Sequence, residues 1–237
     1  MVAAEPEPTR RSLLKSDRRS RLLAAAARQF AERGFAAVRL EDIGAAVDVS
    51  GPAIYRHFPN KEALLVELLV EISTRLLAGG RDVLERAADP ASALQDLIDF
   101  HLDFTLNEPE LIRIQDRDLT QLPPAALRQV RTSQRQYVEI WVRVLREINC
   151  HLAESDARLM AHAAFGLLNS TPYSTKPAGG KPAGVRSRAV LRAMAMPVSR
   201  LRFAQGAVHA LPGGLLQRGR CERRSRCAAL LGVGDLG

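Results

Sequence analysis

The stretch Asp48-Val49-Ser50-Gly51-Pro52-Ala53-Ile54-Tyr55-Arg56-His57-Phe58-Pro59-Asn60-Lys61-Glu62-Ala63-Leu64-Leu65 decides how this chain is read. Asp48-Val49-Ser50 is a turn. Ser50 stands where a helix is capped, and Pro52 lies in the first turn, where a missing N–H costs nothing. That helix is expected from about Gly51 to Phe58, ending at Pro59-Asn60. A longer helix opens near Lys61 and carries Leu64, Leu65, Leu68, Leu69, Ile72 and Leu76 to a break at Gly79-Gly80. Upstream, Leu40, Ile43, Ala46 and Val47 mark a very short helix. From Lys15 to Arg33 the positions Leu22, Leu23, Ala26, Ala27 and Phe30 form one apolar stripe at helical spacing. Gly34 follows where a positive φ would stop that first helix. Two short helices joined by a tight turn and followed by a long one make the arrangement of a helix-turn-helix DNA-binding unit.

The chemistry of these residues suits that arrangement. Gly51, Pro52 and Ala53 are small, so the start of their helix can enter a major groove about 12 Å wide. Tyr55 and His57 lie on its flank, where a phenol and an imidazole can bond phosphate oxygens. Lys61 adds a cation at the start of the next helix. Arg56 is the long donor suited to a bidentate guanine contact, and so the residue expected to set sequence preference.

Residues 22–69 resemble the N-terminal domain of the TetR family of transcriptional regulators. The resemblance rests on Phe30 with Gly34-Phe35, on Ile43, on Val49-Ser50, and most specifically on Ile54 through Leu65. It implies phosphate contacts from Tyr55, His57 and Lys61, with Gly51, Pro52, Ala53 and Arg56 facing or bordering base edges. Arg39 and Ser50 complete the DNA-facing set. Two positions depart from the family pattern. Arg39 replaces the usual Ser or Thr, so it can reach phosphate but cannot cap the second helix. Asp48 replaces the usual glycine and must tolerate the left-handed region. The resemblance also implies a second helical domain that dimerises through its last two helices and holds a small-molecule effector. One recognition unit reads half a palindrome, so two copies must present their helices about 34–36 Å apart.

The remaining sequence is consistent with an all-α chain. Asp89-Pro90 opens a helix with Leu94, Leu97, Ile98, His101, Leu102 and Phe104; Pro109 opens a shorter one; Pro123-Pro124 opens a long one with Tyr137 and Trp141; Ser155 or Asp156 starts another, running to about Asn169. Phe100, His101, Phe104, Tyr137, Trp141, Met160 and Phe165, with Leu111 and His162, are the bulky or amphipathic residues expected around an apolar effector, a lipid-like molecule being the leading guess. The expected organisation is a disordered leader over 1–14, the DNA-binding unit over 15–60, and the effector and dimerisation domain over 61–170. Residues 171–196 follow as a loop and short helix, with Val190, Leu191 and Met194 on one side. An irregular basic tail over 197–237 ends the chain.

Composition bounds the alternatives. The chain has 237 residues, 46% hydrophobic and 25% charged, with three cysteines, which fits a globular protein of a reducing cytoplasm. The net charge of +8 is unevenly spread: residues 1–80 carry +2, residues 81–172 carry −4 and residues 173–237 carry +10. A DNA-binding reading therefore rests on the local motif. The Arg/Gly/Ala-rich tail admits two accounts, a disordered basic tail or a reading frame lost near Met194–Pro197. It also leaves a competing function, a nonspecific nucleic-acid binder acting through that tail. Arg10-Arg11 mimics a twin-arginine export signal, but the charged run Ser16-Asp17-Arg18-Arg19 follows where an apolar stretch is needed. The basic residues Arg10, Arg11, Lys15, Arg18, Arg19 and Arg21 instead form an arm that could reach a minor groove. No apolar run reaches membrane length. His101 between Asp99 and Asp103 has no assignable nucleophile, and Cys221, Cys227 and His209 lack a metal spacing, so neither catalysis nor a cofactor is expected.

Overall fold

In a computed structural model, residues 10–170, Tyr173 and residues 184–198 are described. The first helix, α1, spans Arg10–Arg33, so it starts inside the segment expected to be a disordered leader. Nothing after Pro8 breaks a helix, and Leu13, Leu14 and Lys15 favour one. Gly34 ends α1 at φ +87°, donating its N–H to the Phe30 carbonyl at 2.9 Å. Helix α2 covers Leu40–Ala45. Its N-cap Arg39 offers no acceptor, and Asp42 supplies the reciprocal half of the cap by accepting the Arg39 N–H at 3.4 Å. Asp48 turns the chain at φ 58°, as the sequence requires.

Helix α3 is Gly51–Ile54, shorter than expected. Beyond it the chain continues as a turn, with Arg56 donating to Ala53 at 3.2 Å and Phe58 to Ile54 at 2.9 Å. Pro59 ends that turn, because it disfavours the helical region for Phe58 before it. Ser50 holds the N-cap position, but its hydroxyl makes no cap bond. Helix α4 runs Lys61–Arg86, with Asn60 as a working cap, and passes through Gly79-Gly80 without a break. Those glycines are seats for neighbouring rings. A Cβ at Gly79 would lie 2.2 Å from Phe100 Cζ, and one at Gly80 2.7 Å from Tyr137 Cε2.

Helices α5 (Pro90–Asn107), α6 (Pro109–Asp118) and α7 (Pro124–Ile148) begin at the prolines marked in the sequence, with a 3-10 turn at Leu119–Gln121. Asp89 caps α5 through the N–H groups of Ala91 and Ser92 at 2.8 and 3.0 Å. Helix α8 is Glu154–Leu168 and α9 is Gly184–Val198. On α9 only part of the expected face is buried. Leu191 and Ala195 pack inward, while Val190 and Met194 stand 49% and 53% exposed. The loop reading of 171–184 and the tail expected over 197–237 fall almost wholly outside the described residues, although the last helix runs on to Val198, two residues into that expected tail. Among those residues no helix is long and apolar enough to cross a membrane.

Two apolar cores share the long helix α4. The first gathers Leu22, Phe30, Ile43, Ile54, Phe58 and the α4 residues Leu64 to Ile72, and adds Leu111 and Ile114 from α6. The second joins Leu77 at the far end of α4 to α5, α7, α8 and α9 around Trp141. Helix α6 thus packs against α1 of the DNA-binding unit as well as against α4 and α5.

Candidate nucleic-acid interface

Helix α3 is held from behind and open in front. Ile54 and Phe58 are buried in the first core, whereas Ser50, Pro52, Tyr55 and Arg56 are exposed and Gly51 and Ala53 half-buried. A Cβ on Gly51 would meet nothing within 4 Å, so the start of α3 can approach a partner closely. Arg39 is exposed at the start of α2. Tyr55, 49% exposed, donates its hydroxyl to Glu41 Oε1 at 2.6 Å. That bond lowers the Glu41 pKa and raises that of Tyr55. A phosphate at this edge would compete with Glu41 for the same phenol.

Arg19 locks the turn after α3 in place. Its guanidinium donates to the His57 carbonyl at 2.8 Å, pairs with Glu67 and covers the Phe58 ring at 4.2 Å. Arg21 donates to the Val47 carbonyl at 3.2 Å. Two residues of the expected minor-groove arm therefore serve as internal clamps here, while Arg18 stays exposed. His57 is half-buried.

Lys61 is engaged inside the protein. Its ammonium donates to the carbonyls of Phe35, Ala36 and Val38 at 2.8, 3.1 and 3.1 Å, and lies 4.5 Å from the centre of the Phe35 ring. The physical reason is its position in the first turn of α4, where the helix dipole disfavours a cation. The loop carbonyls between α1 and α2 offer a better site. The same loop is gripped from α6: the Phe35 N–H donates to Asp118 Oδ2 at 3.3 Å, and Arg117 donates to the Phe30 carbonyl. Arg117 also pairs with the buried Asp118.

Most of the expected effector residues converge in the second core, whereas Phe104 packs against the first. His101 lies 5.9 Å from Tyr137, 5.1 Å from Phe165 and 5.9 Å from Phe104 between ring centres, and Trp141 lies 4.9 Å from Phe165. Phe100 covers Gly79, and Met160 is buried nearby. Leu111 instead belongs to the first core, and His162 faces solvent. Beside Trp141 and Met160 lies a cavity of about 10 Å³. His101 faces the Tyr137 hydroxyl at 3.3 Å and Asn169 Oδ1 at 3.0 Å. Burial pushes its pKa down to about 4, so the imidazole is neutral, and burial pushes the Tyr137 phenol up.

Two family models match in chain order. Residues 22–68 match the bacterial regulatory proteins of the tetR family, and residues 87–183 match the tetracyclin repressor-like C-terminal domain. The chain belongs to the TetR family. It is 30% identical over 135 residues to the HTH-type transcriptional repressor KstR2 of Mycobacterium tuberculosis, a match covering 56% of this chain and 66% of that protein. It is 29% identical over 102 residues to the HTH-type transcriptional activator FasR of Mycolicibacterium smegmatis, covering 43% and 47%. The chain thus spans about two thirds or less of the length of these curated relatives, which are named as regulators and not as enzymes. The solved structure of the ketosteroid transcriptional regulator KstR2 of Mycobacterium tuberculosis superposes with TM-score 0.67 at 24% identity, covering 77% of this chain and 93% of that one.

This TetR-family chain therefore presents Arg39, Ser50, Gly51, Pro52, Ala53, Tyr55 and Arg56 together at one outer edge, with His57 half-buried behind them. Lys61 is turned away toward the loop carbonyls. Sequence reasoning missed Glu41, Arg117 and Asp118, because their partners lie 14, 87 and 83 residues away and no local pattern marks such pairs.

Proposed function

We propose that the chain is a sequence-specific DNA-binding transcriptional regulator of the cytoplasm, a homodimeric repressor released from a palindromic operator by a small apolar effector. The observation that carries this reading is the start of α3, where Pro52 is exposed and a Cβ on Gly51 would meet nothing within 4 Å, with Arg56 exposed in the turn that follows. Arg56 reads a guanine edge. Arg39, Tyr55 and His57 hold phosphates, and Lys61 holds the loop that positions α2. The relatives named as repressors favour repression, although FasR is named as an activator.

Exposed apolar side chains on α8 and α9 support the dimer: Leu159 is 69% exposed and lies on the same pair of helices as Val190 and Met194. The grip of Arg117 and Asp118 on the loop between α1 and α2 gives the effector a lever. A ligand that favours an arrangement with α6 displaced weakens DNA binding by its differential affinity for the two states.

The test is a competition assay with the purified protein on DNA flanking its own gene. A palindrome there should outcompete random duplex by about 10³-fold or more. Equal competition by random DNA, with a steep salt dependence, would instead favour a nonspecific binder acting through the basic tail.

A further inference from the structure

The DNA-facing edge carries a carboxylate that phosphate contacts leave without a role. Glu41 stands exposed in the first turn of α2, close to Arg39 and Tyr55. A negative side chain on a surface that meets phosphates opposes binding unless the duplex offers it a donor. Among the described residues Glu41 is the one carboxylate bonded to a side chain of the set Arg39, Ser50, Tyr55 and Arg56. Its Oε1 accepts the Tyr55 hydroxyl at 2.6 Å. That bond first, and then its own N–H, hold the carboxyl below the ordinary range, so at neutral pH Glu41 only accepts. The neighbouring Asp42 accepts the Arg39 N–H and pairs with Arg33, so it belongs to the fold and not to the edge.

Binding a duplex at this edge forces an exchange. A phosphate that takes the Tyr55 hydroxyl strips Glu41 of its donor and leaves two anions side by side. The carboxylate then needs another donor, and the sugar-phosphate backbone of DNA has none. In the major groove the donors are the amino groups of cytosine and adenine. Adenine sets its N7 acceptor beside the amino group, which repels a carboxylate and suits an amide. Cytosine shows only its N4 amino group there, and a Glu accepts from it. Every duplex therefore bears the penalty of the exchange, and one with a cytosine in reach offsets it.

We propose that Glu41 is a specificity-determining residue of the DNA contact: Tyr55 gives its hydroxyl to a phosphate, and the released Glu41 carboxylate accepts the N4 amino group of a cytosine. This rests on the reading of the chain as a sequence-specific DNA-binding regulator, and it adds to Arg56 a second base-reading side chain of opposite charge. By weakening the hold on random DNA, Glu41 sharpens the choice of site.

Selection from a randomised duplex library, with the purified full-length protein and three variants, tests this. Wild type and Arg56→Ala should both enrich a cytosine at one position of each half-site. Glu41→Ala should lose that enrichment and bind random duplex about five-fold tighter, the effect of one net hydrogen bond that no longer has to be broken. Discrimination between the selected site and the same site with that cytosine replaced should fall from about ten-fold to none. Glu41→Gln should move the enriched base to adenine, which an amide contacts at N6 and N7. Tyrosine titration checks the contact without DNA: the bond to Glu41 raises the Tyr55 pKa, so Tyr55 should titrate lower in Glu41→Ala. A cytosine still enriched by Glu41→Ala overturns the proposal. So does random-duplex binding that this variant weakens or leaves unchanged, or a Tyr55 titration that does not move. Wild type that enriches no sequence would overturn the regulator reading along with the proposal, whereas an enriched site whose bases ignore Glu41 would overturn the proposal alone.

Discussion

Replacing Lys61 by Met removes the ammonium and keeps an apolar stem over Phe35, so the change isolates the three bonds to the carbonyls of Phe35, Ala36 and Val38. A buried hydrogen bond to a charged group contributes about 1.5–3 kcal/mol. Lys61 is half-buried and the Ala36 carbonyl is exposed, so water can replace part of that network once the ammonium is gone. The loss should come to about 2 kcal/mol in all, rather than three times a single bond. For a fold of this size that corresponds to about 4–8 °C in Tm. The assay is a thermal melt paired with DNA binding over a range of salt. On the internal-clamp reading Tm falls by that amount, while the slope of log K against log salt stays nearly constant. On the phosphate-contact reading Tm stays put and the slope falls by about 0.9 for each lost contact. An unchanged Tm with a reduced slope would refute the clamp.

Three further outcomes follow from the geometry. Arg56→Ala should relax base preference at one position of each half-site, at about 1–3 kcal/mol, as read by binding to single-base operator variants; uniform weakening across all sequences would remove Arg56 from base reading. Gly80→Ala should lower Tm by about 2–4 °C, because overpacking against Tyr137 and Ile140 at about 1–3 kcal/mol outweighs a helix-propensity gain of about 1 kcal/mol; a rise in Tm would mean the contact yields. His101 resists protonation until about pH 4 when folded, whereas an unfolded histidine takes its proton near 6.5. The unfolded state binds more protons in that window, so stability should fall as pH drops from 6.5 to 4, by about 3 kcal/mol at most. The stability difference from His101→Gln, followed by denaturant titration at several pH values, should change by that amount, and a difference constant with pH would refute the assignment.

Much of the site was legible before any coordinates. The apolar spacing of Leu22, Phe30, Ile43, Ile54 and Phe58, the stop at Gly34 and the turn at Asp48 all appear where local chemistry puts them. So do the proline-led starts of α5, α6 and α7. Each of these depends on side chains within one or two turns of the residue concerned, which is the range over which sequence pattern speaks. Gly79-Gly80 misled for the opposite reason. Alone, a glycine pair is a helix breaker; here two aromatic rings need the space that a Cβ would fill.

The sequence by itself determined that the chain is helical, that α3 is a short element with a small-residue start, and that aromatic side chains populate the second core. Those properties follow from propensity, capping and periodicity, which act locally. Only the tertiary structure decided that Lys61 faces the loop carbonyls, that Arg19 clamps the turn after α3, that Arg117 and Asp118 tie α6 to the first core, and that Gly79 and Gly80 seat the rings of Phe100 and Tyr137. Such roles depend on which groups meet across dozens of residues of chain, and a charged or polar side chain takes the partner that packing brings within reach.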